Sequence, residues 1–216
     1  MASANHTTPA LRAAPPHERR KDAGDAVPGV AGPRHAERGH ATPPREKRGE
    51  LRSPLAAIAG NAWCFGDHVN TDVIHPPEFF SLDPERVKKG LFHGFDPELQ
   101  KRFRPSDVVV AGRNFGCGSS RETSIRSLKL NRVGAVVAID FARIFFRNAT
   151  NNGIPCLTFE NPFDATHVWP GERVRICFET WTLTTESADR IELTPAPDFI
   201  LSIWQAGGLL ETLALN

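Results

Sequence analysis

The stretch DVVVAGRNFGCGSSRE, residues 107–122, decides the fold of this chain. It opens with a short, continuously apolar run at 107–112, which is typical of a strand buried on both faces of a parallel sheet. A turn rich in glycine follows, and after it Ile125, Leu128 and Val133 recur at roughly helical spacing, with Gly134 marking the expected helix end. A strand, a glycine turn and a helix in this order predict one βα unit of an α/β fold.

The same pattern repeats toward the C-terminus. Residues 135–139 form a second apolar run, and Phe141, Ile144, Phe145 and Ala149 then share one helical face. Other elements are expected as follows: an opening strand at 55–65, a helix from Pro84 with Asp83 as N-cap, a buried strand at 156–159, β segments at 173–179, 182–184 and 190–194, and a helix at 198–206. The sequence therefore predicts an α/β body with a β-rich periphery.

The first 50 residues differ in composition from the rest of the 216-residue chain. They contain no Phe, Trp or Ile, but 7 Pro, 5 Gly and 10 Ala. Because such a segment cannot offset the entropy lost on ordering, we expect residues 1–50 to be a disordered extension and residues 51–216 to be one folded domain. The whole chain has 26 Lys and Arg against 25 Asp and Glu, a balance that argues against an electrostatic nucleic-acid binder.

The four cysteines, Cys64, Cys117, Cys156 and Cys177, are widely spaced and form no CxxC pair. This spacing argues against a zinc or iron–sulfur site, and we expect no metal ligand in this chain. Reduced thiols, and the lack of an apolar run near the ~20 residues of a membrane span, indicate a cytoplasmic protein. The N-terminal stretch is rich in Arg but contains six acidic residues and no continuous apolar core, unlike a transit peptide or a secretory signal.

The glycines at 112, 116 and 118 match neither the dinucleotide-binding pattern nor the P-loop. Glycine nonetheless lets backbone N–H groups approach a ligand, and the start of the following helix adds partial positive charge. Ser119, Ser120 and Arg121 add two hydroxyls and a forked cation that suits a carboxylate. The turn is either an anion cradle or a tight βα connection in which one of the serines caps the helix.

Four stretches together resemble a known family. They are GDHVNTDVI at 66–74, NFGCGSSRE at 114–122, FARIFFRN at 141–148 and NGIP at 152–155. The chain is similar to the aconitase swivel domain, and more closely to the separate small subunit of bacterial and archaeal 3-isopropylmalate dehydratase. The resemblance implies a swivelling β/β/α domain, a larger partner subunit that carries a 4Fe-4S cluster, a small dicarboxylic acid substrate, and hydro-lyase activity in leucine biosynthesis.

The resemblance also implies roles for individual residues. Ser119 is expected to be the catalytic base and Arg121 the clamp for a substrate carboxylate, while Gly118 and Ser120 contribute hydrogen-bond donors. Thr71 and Asp72 are expected to lie beside the turn and to orient Arg121, although a simple turn cap remains open for both. Arg143 and Arg147 are expected either to form structural ion pairs or to contact the large subunit.

The sequence departs from the family pattern in the loop before residue 83. Its residues Glu78-Phe79-Phe80-Ser81-Leu82 contain no Arg for a third carboxylate. Because an unpaired buried carboxylate is costly, this loop argues against a tricarboxylate, and Phe80 and Leu82 are expected to contact an apolar branch of the substrate. The position after Glu122 is Thr123, where many members have a histidine, so a proton relay from that histidine does not carry over.

Two alternatives remain at this stage. One is the small subunit of a related hydro-lyase for another diacid of the dimethylmalate, methylaconitate or homoaconitate type. The other is a non-catalytic module that binds carboxylates. The histidines outside the N-terminal extension, His68, His75, His93 and His167, have no partner spacing and are expected at the surface.

Overall fold

The computed structural model describes residues 55–118 and 121–215. The predicted disorder of residues 1–50 lies outside the described residues. The same holds for the roles predicted for Ser119 and Ser120. Within the described ranges, no helix is long and apolar enough to cross a bilayer.

One mixed sheet forms the centre of the fold. Its strands are β1 (Ala57–Cys64), β2 (Val108–Ala111), β3 (Ala135–Ala138), β4 (Cys156–Thr158), β5 (Arg173–Cys177), β6 (Thr182–Thr185) and β7 (Arg190–Glu192). They are arranged in the order β4-β3-β2-β1-β5-β6-β7. The C-terminal part of β1 pairs in parallel with β2, placing Ala62 opposite Val108, and its N-terminal part pairs antiparallel with β5, placing Ile58 opposite Ile176. The single strand β1 therefore joins a parallel half of the sheet to an antiparallel half.

Five of the described helices lie between parallel strands: α1 (Thr71–Ile74), α2 (Pro84–Lys89), α3 (Leu99–Arg102), α4 (Glu122–Leu130) and α5 (Arg143–Asn151). Helices α6 (Asp198–Ala206) and α7 (Leu209–Leu215) follow β7, and 3-10 turns lie at Pro77–Phe79 and Pro162–His167. Helix α4 links β2 to β3, and α5 links β3 to β4, as the two predicted βα units require. The Asp83 side chain accepts a hydrogen bond from Glu85 N, so the predicted cap of α2 is confirmed.

The core lies on both faces of the sheet, because the side chains of a strand alternate between its two faces. On one face, Val109 and Val136 pack with residues of α4 and α5, including Leu128 and Phe145. On the other face, a second cluster joins the parallel half to the antiparallel half and to α6: Val108, Val110, Val137, Leu157, Ile176, Leu183 and Trp204. This double coverage explains why β2 and β3 are continuously apolar.

Some element boundaries differ from the sequence prediction. Helix α4 ends at Leu130 rather than at Gly134, because the Asn131 amide donates to the carbonyls of Ser127 and Lys88 and Arg132 has a positive φ of 56°. Helix α5 begins at Arg143, after Phe141. Helix α7 was not predicted, since its short stretch LLETLAL lacks a clear cap.

Candidate functional site

Three polar stretches follow the carboxyl ends of adjacent parallel strands. Residues 65–74 follow β1, residues 112–121 follow β2 and residues 139–142 follow β3. Ligands of open α/β sheets bind at this edge. The strand order therefore brings together three stretches that are separated from one another in the sequence.

The first two stretches run side by side. The N–H of Gly116 donates to the Val69 carbonyl at 2.8 Å, and the N–H of Thr71 donates to the Cys117 carbonyl at 2.8 Å. Thr71 is buried, and its carbonyl also accepts from the Ser124 hydroxyl of α4 at 3.3 Å. The expectation that Thr71 and Asp72 lie beside the glycine turn describes this arrangement correctly.

Two carboxylates hold the start of the turn. The N–H of Arg113 donates to Asp67 Oδ1 at 2.6 Å, and the N–H of Asn114 donates to Asp140 Oδ1 at 2.6 Å. No role for Asp67 or Asp140 is expected from the sequence. The available signal is their position two or three residues after β1 and β3, because short acidic side chains in turns often bind nearby backbone N–H groups.

The glycines of the turn are required by both conformation and space. Gly116 and Gly118 have φ values of +77° and +98°, which a side chain disfavours. A Cβ on Gly116 would lie 2.1 Å from the Phe145 ring, and one on Gly118 would lie 2.6 Å from Asn70 Oδ1. Helix α5 and the segment before α1 thus press directly against the turn.

Helix α4 begins at Glu122, and the N-cap position falls on Arg121, whose side chain makes no capping hydrogen bond. The position that a capping serine would need is therefore filled by the predicted carboxylate clamp. Of the predicted donors, Gly118 is exposed at the end of the turn, ahead of this helix start.

Arg121 lies close to Asp72 and to Phe80. Its Nη1 atom lies 3.8 Å from Asp72 Oδ1, and its Cζ atom lies 4.9 Å from the centroid of the Phe80 ring. The Arg121 and Asp72 side chains are both partly exposed, so their attraction alone is weak. The predicted site residues Thr71, Asp72, Phe80, Gly118 and Arg121 are thus brought to one edge of the sheet.

The loop before α2 is fixed through its backbone. Arg126 of α4 donates to the carbonyls of Ser81 and Leu82, and Arg86 of α2 donates to the carbonyl of Glu78. The Leu82 side chain itself is 92% exposed and makes no contact with the core. The contact between Leu82 and a substrate branch therefore stays a prediction, while the Leu82 backbone is held against the helix that follows the glycine turn.

The surface position predicted for His75 is wrong, because its side chain is fully buried. Its Nε2 atom lies 3.0 Å from the Val87 carbonyl, and its ring stacks on Phe80 with centroids 5.6 Å apart. Burial, partly opposed by the hydrogen bond to Val87, lowers the pKa of His75. His68 and His167 are exposed, as predicted, and His93 is half-buried against Phe79.

Two further sets of side chains complete the description. Arg143 and Arg147 are exposed on α5, and neither forms an ion pair with a described residue.

The four cysteines are free thiols, and burial raises the pKa of Cys64 to about 12. Across residues 55–118 and 121–215, no three His, Cys, Asp or Glu side chains are grouped so that they could hold a metal ion.

Comparisons with a family model, with related sequences and with a solved structure all point to one family. Residues 94–162 match the family model for the aconitase C-terminal domain. The chain is 41% identical over 157 residues to a 3-isopropylmalate dehydratase small subunit of Methanopyrus kandleri, covering 72% of this chain and 92% of that protein. It is 39% identical to the corresponding small subunit of Aliarcobacter butzleri, covering 73% and 94%. A crystal structure of 3-isopropylmalate dehydratase from Methanocaldococcus jannaschii superimposes with a TM-score of 0.69 at 34% identity, covering 74% of this chain and 94% of the other. These similarities confirm the fold class and the resemblance indicated by the four sequence stretches.

Proposed function

This chain belongs to the family of 3-isopropylmalate dehydratase small subunits, and we propose that it acts as the small subunit of a hydro-lyase that interconverts 2-isopropylmalate and 3-isopropylmalate in leucine biosynthesis. One observation carries the proposal: the glycine turn and the Arg121–Asp72 pair share the carboxyl edge of the sheet. The chain also spans 92% and 94% of the length of relatives with that name. The reaction removes water from a hydroxy-diacid and adds it back at the neighbouring carbon.

The active complex is proposed to include a larger subunit that carries the 4Fe-4S cluster. The described residues of this chain offer no ligand set that fits such a cluster. When bound, the cluster supplies an open iron that acts as a Lewis acid toward the departing hydroxyl. The proposed location is the cytoplasm, which suits the four free thiols.

The contribution of this chain is proton transfer and carboxylate binding. Ser119 is the proposed base that takes the weakly acidic proton from the carbon beside a carboxylate. A serine oxygen is a poor base in water, but N–H donors of a glycine turn, the start of a helix and a nearby guanidinium all favour its anionic form. Gly118 and Ser120 are proposed to donate hydrogen bonds to the substrate.

Arg121 is proposed to bind a substrate carboxylate with its planar fork, which neutralises charge that builds up as the proton leaves. Asp72 lies beside the guanidinium and carries the opposite charge. The hydrogen bond from Thr71 N to the Cys117 carbonyl keeps α1 against the turn. Leu82, exposed next to this site, is proposed to contact the apolar branch of the substrate.

The deciding experiment is Ser119→Ala in the complex reconstituted with the large subunit. If Ser119 is the base, kcat falls by at least ~10²-fold while thermal unfolding and partner binding stay near those of the wild type. If Ser119 only makes a structural hydrogen bond in the turn, the variant loses about 1 kcal/mol of stability and keeps its activity. Turnover within a few-fold of the wild type would therefore refute the role of Ser119.

A panel of diacids tests the substrate. The wild-type complex is expected to prefer 3-isopropylmalate over homoaconitate, since the loop at 78–82 has no Arg for a third carboxylate. It is expected to prefer 3-isopropylmalate over dimethylmalate because methyl branches offer less apolar surface to Leu82 than an isopropyl branch does. Preference for a tricarboxylate would contradict the proposed substrate, and no turnover of any diacid would favour a carboxylate-binding module.

A further inference from the structure

We propose that Phe80, supported by the buried His75, is a positioning residue that holds the Arg121 guanidinium in its carboxylate-binding orientation. The proposal rests on the proposed function of Arg121 as the clamp. It gives the Phe80 ring a different role from the direct contact with the substrate branch that the sequence suggested.

The first step is the contact between Arg121 and Phe80. The Cζ atom of Arg121 lies 4.9 Å from the ring centroid, within the range of a cation–π interaction. Asp72 Oδ1, on another element, lies 3.8 Å from Arg121 Nη1. An aromatic face restrains the plane of a guanidinium, whereas a single carboxylate oxygen at this distance attracts its charge without fixing its plane. Phe80 therefore supplies the orientation that Asp72 does not.

The second step is the support behind Phe80. The rings of Phe80 and His75 are nearly parallel, with an interplanar angle of 9° and centroids 5.6 Å apart. His75 is fully buried, and the bond between its Nε2 atom and the Val87 carbonyl fixes the plane of the imidazole. Gly90 leaves room for this ring, because a Cβ there would lie 2.5 Å from His75 Cδ2. A rigid imidazole therefore sets the plane of a half-buried phenyl ring.

The positioning role of Phe80 differs from simple packing of the loop, because other contacts hold the loop. The loop backbone is already held by Arg126, which binds the carbonyls of Ser81 and Leu82, and by Arg86, which binds that of Glu78. Phe80 is only half-buried and does not belong to either buried core cluster. The described contacts of its ring are therefore the stacking on His75 and the cation–π contact with Arg121.

The two possible roles of Phe80 differ in what they predict for the substrate. A carboxylate is common to 3-isopropylmalate and to 3-methylmalate, but the isopropyl branch is not. If Phe80 acts through Arg121, loss of its ring weakens the binding of both substrates equally. If Phe80 contacts the branch, loss of its ring weakens the binding of 3-isopropylmalate and leaves the binding of 3-methylmalate nearly unchanged.

The experiment uses Phe80→Leu in the reconstituted complex, which removes the ring but keeps an apolar side chain. We expect KM to rise about tenfold for both substrates, with kcat within about threefold of the wild type, because a binding contact is lost rather than a chemical step. Phe80→Tyr, which keeps the ring, should restore KM. The matched control is Phe79→Leu in the same loop: the Phe79 ring packs on His93 with centroids 4.4 Å apart and meets His75 only edge-on at 6.3 Å, so KM should change less than about twofold.

A double-mutant cycle tests the coupling to Arg121. When Phe80→Leu is added to Arg121→Ala, KM should rise by less than about twofold over that of Arg121→Ala alone, because the guanidinium that Phe80 orients is already absent. His75→Leu, which leaves Phe80 in place, should raise KM in the same way and provides a second variant if Phe80→Leu does not fold. Additive effects of Phe80→Leu and Arg121→Ala, or a KM increase confined to 3-isopropylmalate, would overturn the proposal while leaving the proposed function intact. A wild-type complex without turnover of either substrate would overturn both.

Discussion

The buried His75, which stacks on Phe80, makes the folded domain sensitive to acid. Burial lowers the pKa of His75 in the folded state below its value of about 6.5 in an unfolded chain. Below that pH the unfolded chain binds more protons than the folded one, so the free energy of unfolding falls as the pH falls toward the folded-state pKa. The loss has an upper limit of about 1.4 kcal/mol for each pH unit.

This effect can be isolated with His75→Gln, whose amide still offers a donor to the Val87 carbonyl. Urea unfolding between pH 7.5 and pH 5 should show a steeper loss of stability for the wild type than for the variant. Other histidines contribute equally to both proteins, so the difference between the two curves reports on His75. Parallel curves would show that His75 does not titrate in this way.

At the residue scale, Thr71, Asp72 and Arg121 lie together as the sequence predicts, but the surface position predicted for His75 is wrong. The motif at 66–74 predicts a polar turn, and His75 follows it directly with no local pattern that distinguishes a surface histidine from a buried one. Its burial depends on Gly90, Val87 and Phe80, which come from later turns of the chain. Such a contact exists only after the loop and α2 have folded back onto α1.

At the scale of the elements, the glycine turn is held by its neighbours as well as by its own conformation. Gly116→Ala would force a Cβ to within 2.1 Å of the Phe145 ring at a φ of +77°. Strain and overpacking together should lower the free energy of unfolding by at least about 2 kcal/mol. Chemical denaturation of the isolated chain measures the loss.

The matched control is Gly66→Ala in the neighbouring turn, where a Cβ would meet nothing within 4 Å. Its effect should stay within about 0.5 kcal/mol. Equal losses for the two variants would mean that the general flexibility of glycine, rather than the contact with Phe145, sets the cost.

The βα units were predictable because each is local: apolar runs, glycine turns and helical spacing lie within a few tens of residues. The role of β1 was not predictable. Its two halves pair with β2 in parallel and with β5 in antiparallel fashion, and the second partner lies more than 100 residues later in the chain. Register between such distant strands depends on packing across the whole sheet, which local periodicity does not encode.

For the whole molecule, the first question is what the N-terminal extension contributes. The similarity to relatives covers 72% of this chain but 92% of the Methanopyrus kandleri protein, so about a quarter of the chain lies outside it. From its composition, we expect a chain that begins at Leu51 to keep the melting temperature and reconstituted activity of the full chain. Loss of the cooperative unfolding transition on truncation would contradict this expectation.

The exposed face of α5 is a candidate surface for the proposed large subunit. Helix α5 follows the carboxyl end of β3, and its buried Phe145 packs against Gly116 of the glycine turn. The opposite face of α5 is exposed. That face carries Arg143 and Arg147, which form no ion pair with a described residue, and Ile144, which is 51% exposed. Two unpaired cations beside an apolar side chain suit a partner surface of apolar and acidic residues, and this favours the interfacial role for both arginines over the structural one.

Reversal of both charges tests this assignment. Arg143→Glu with Arg147→Glu should weaken binding to the large subunit by at least about tenfold, with the larger change in the association rate and a smaller effect at high salt. The matched control reverses Arg173 and Arg175, which are also exposed and lie on β5 in the antiparallel half of the sheet. Surface plasmon resonance with immobilised large subunit measures both pairs of changes. Because the two double variants alter the net charge equally, a similar loss for both would reduce the effect to overall charge, whereas a loss confined to α5 locates the partner beside the glycine turn.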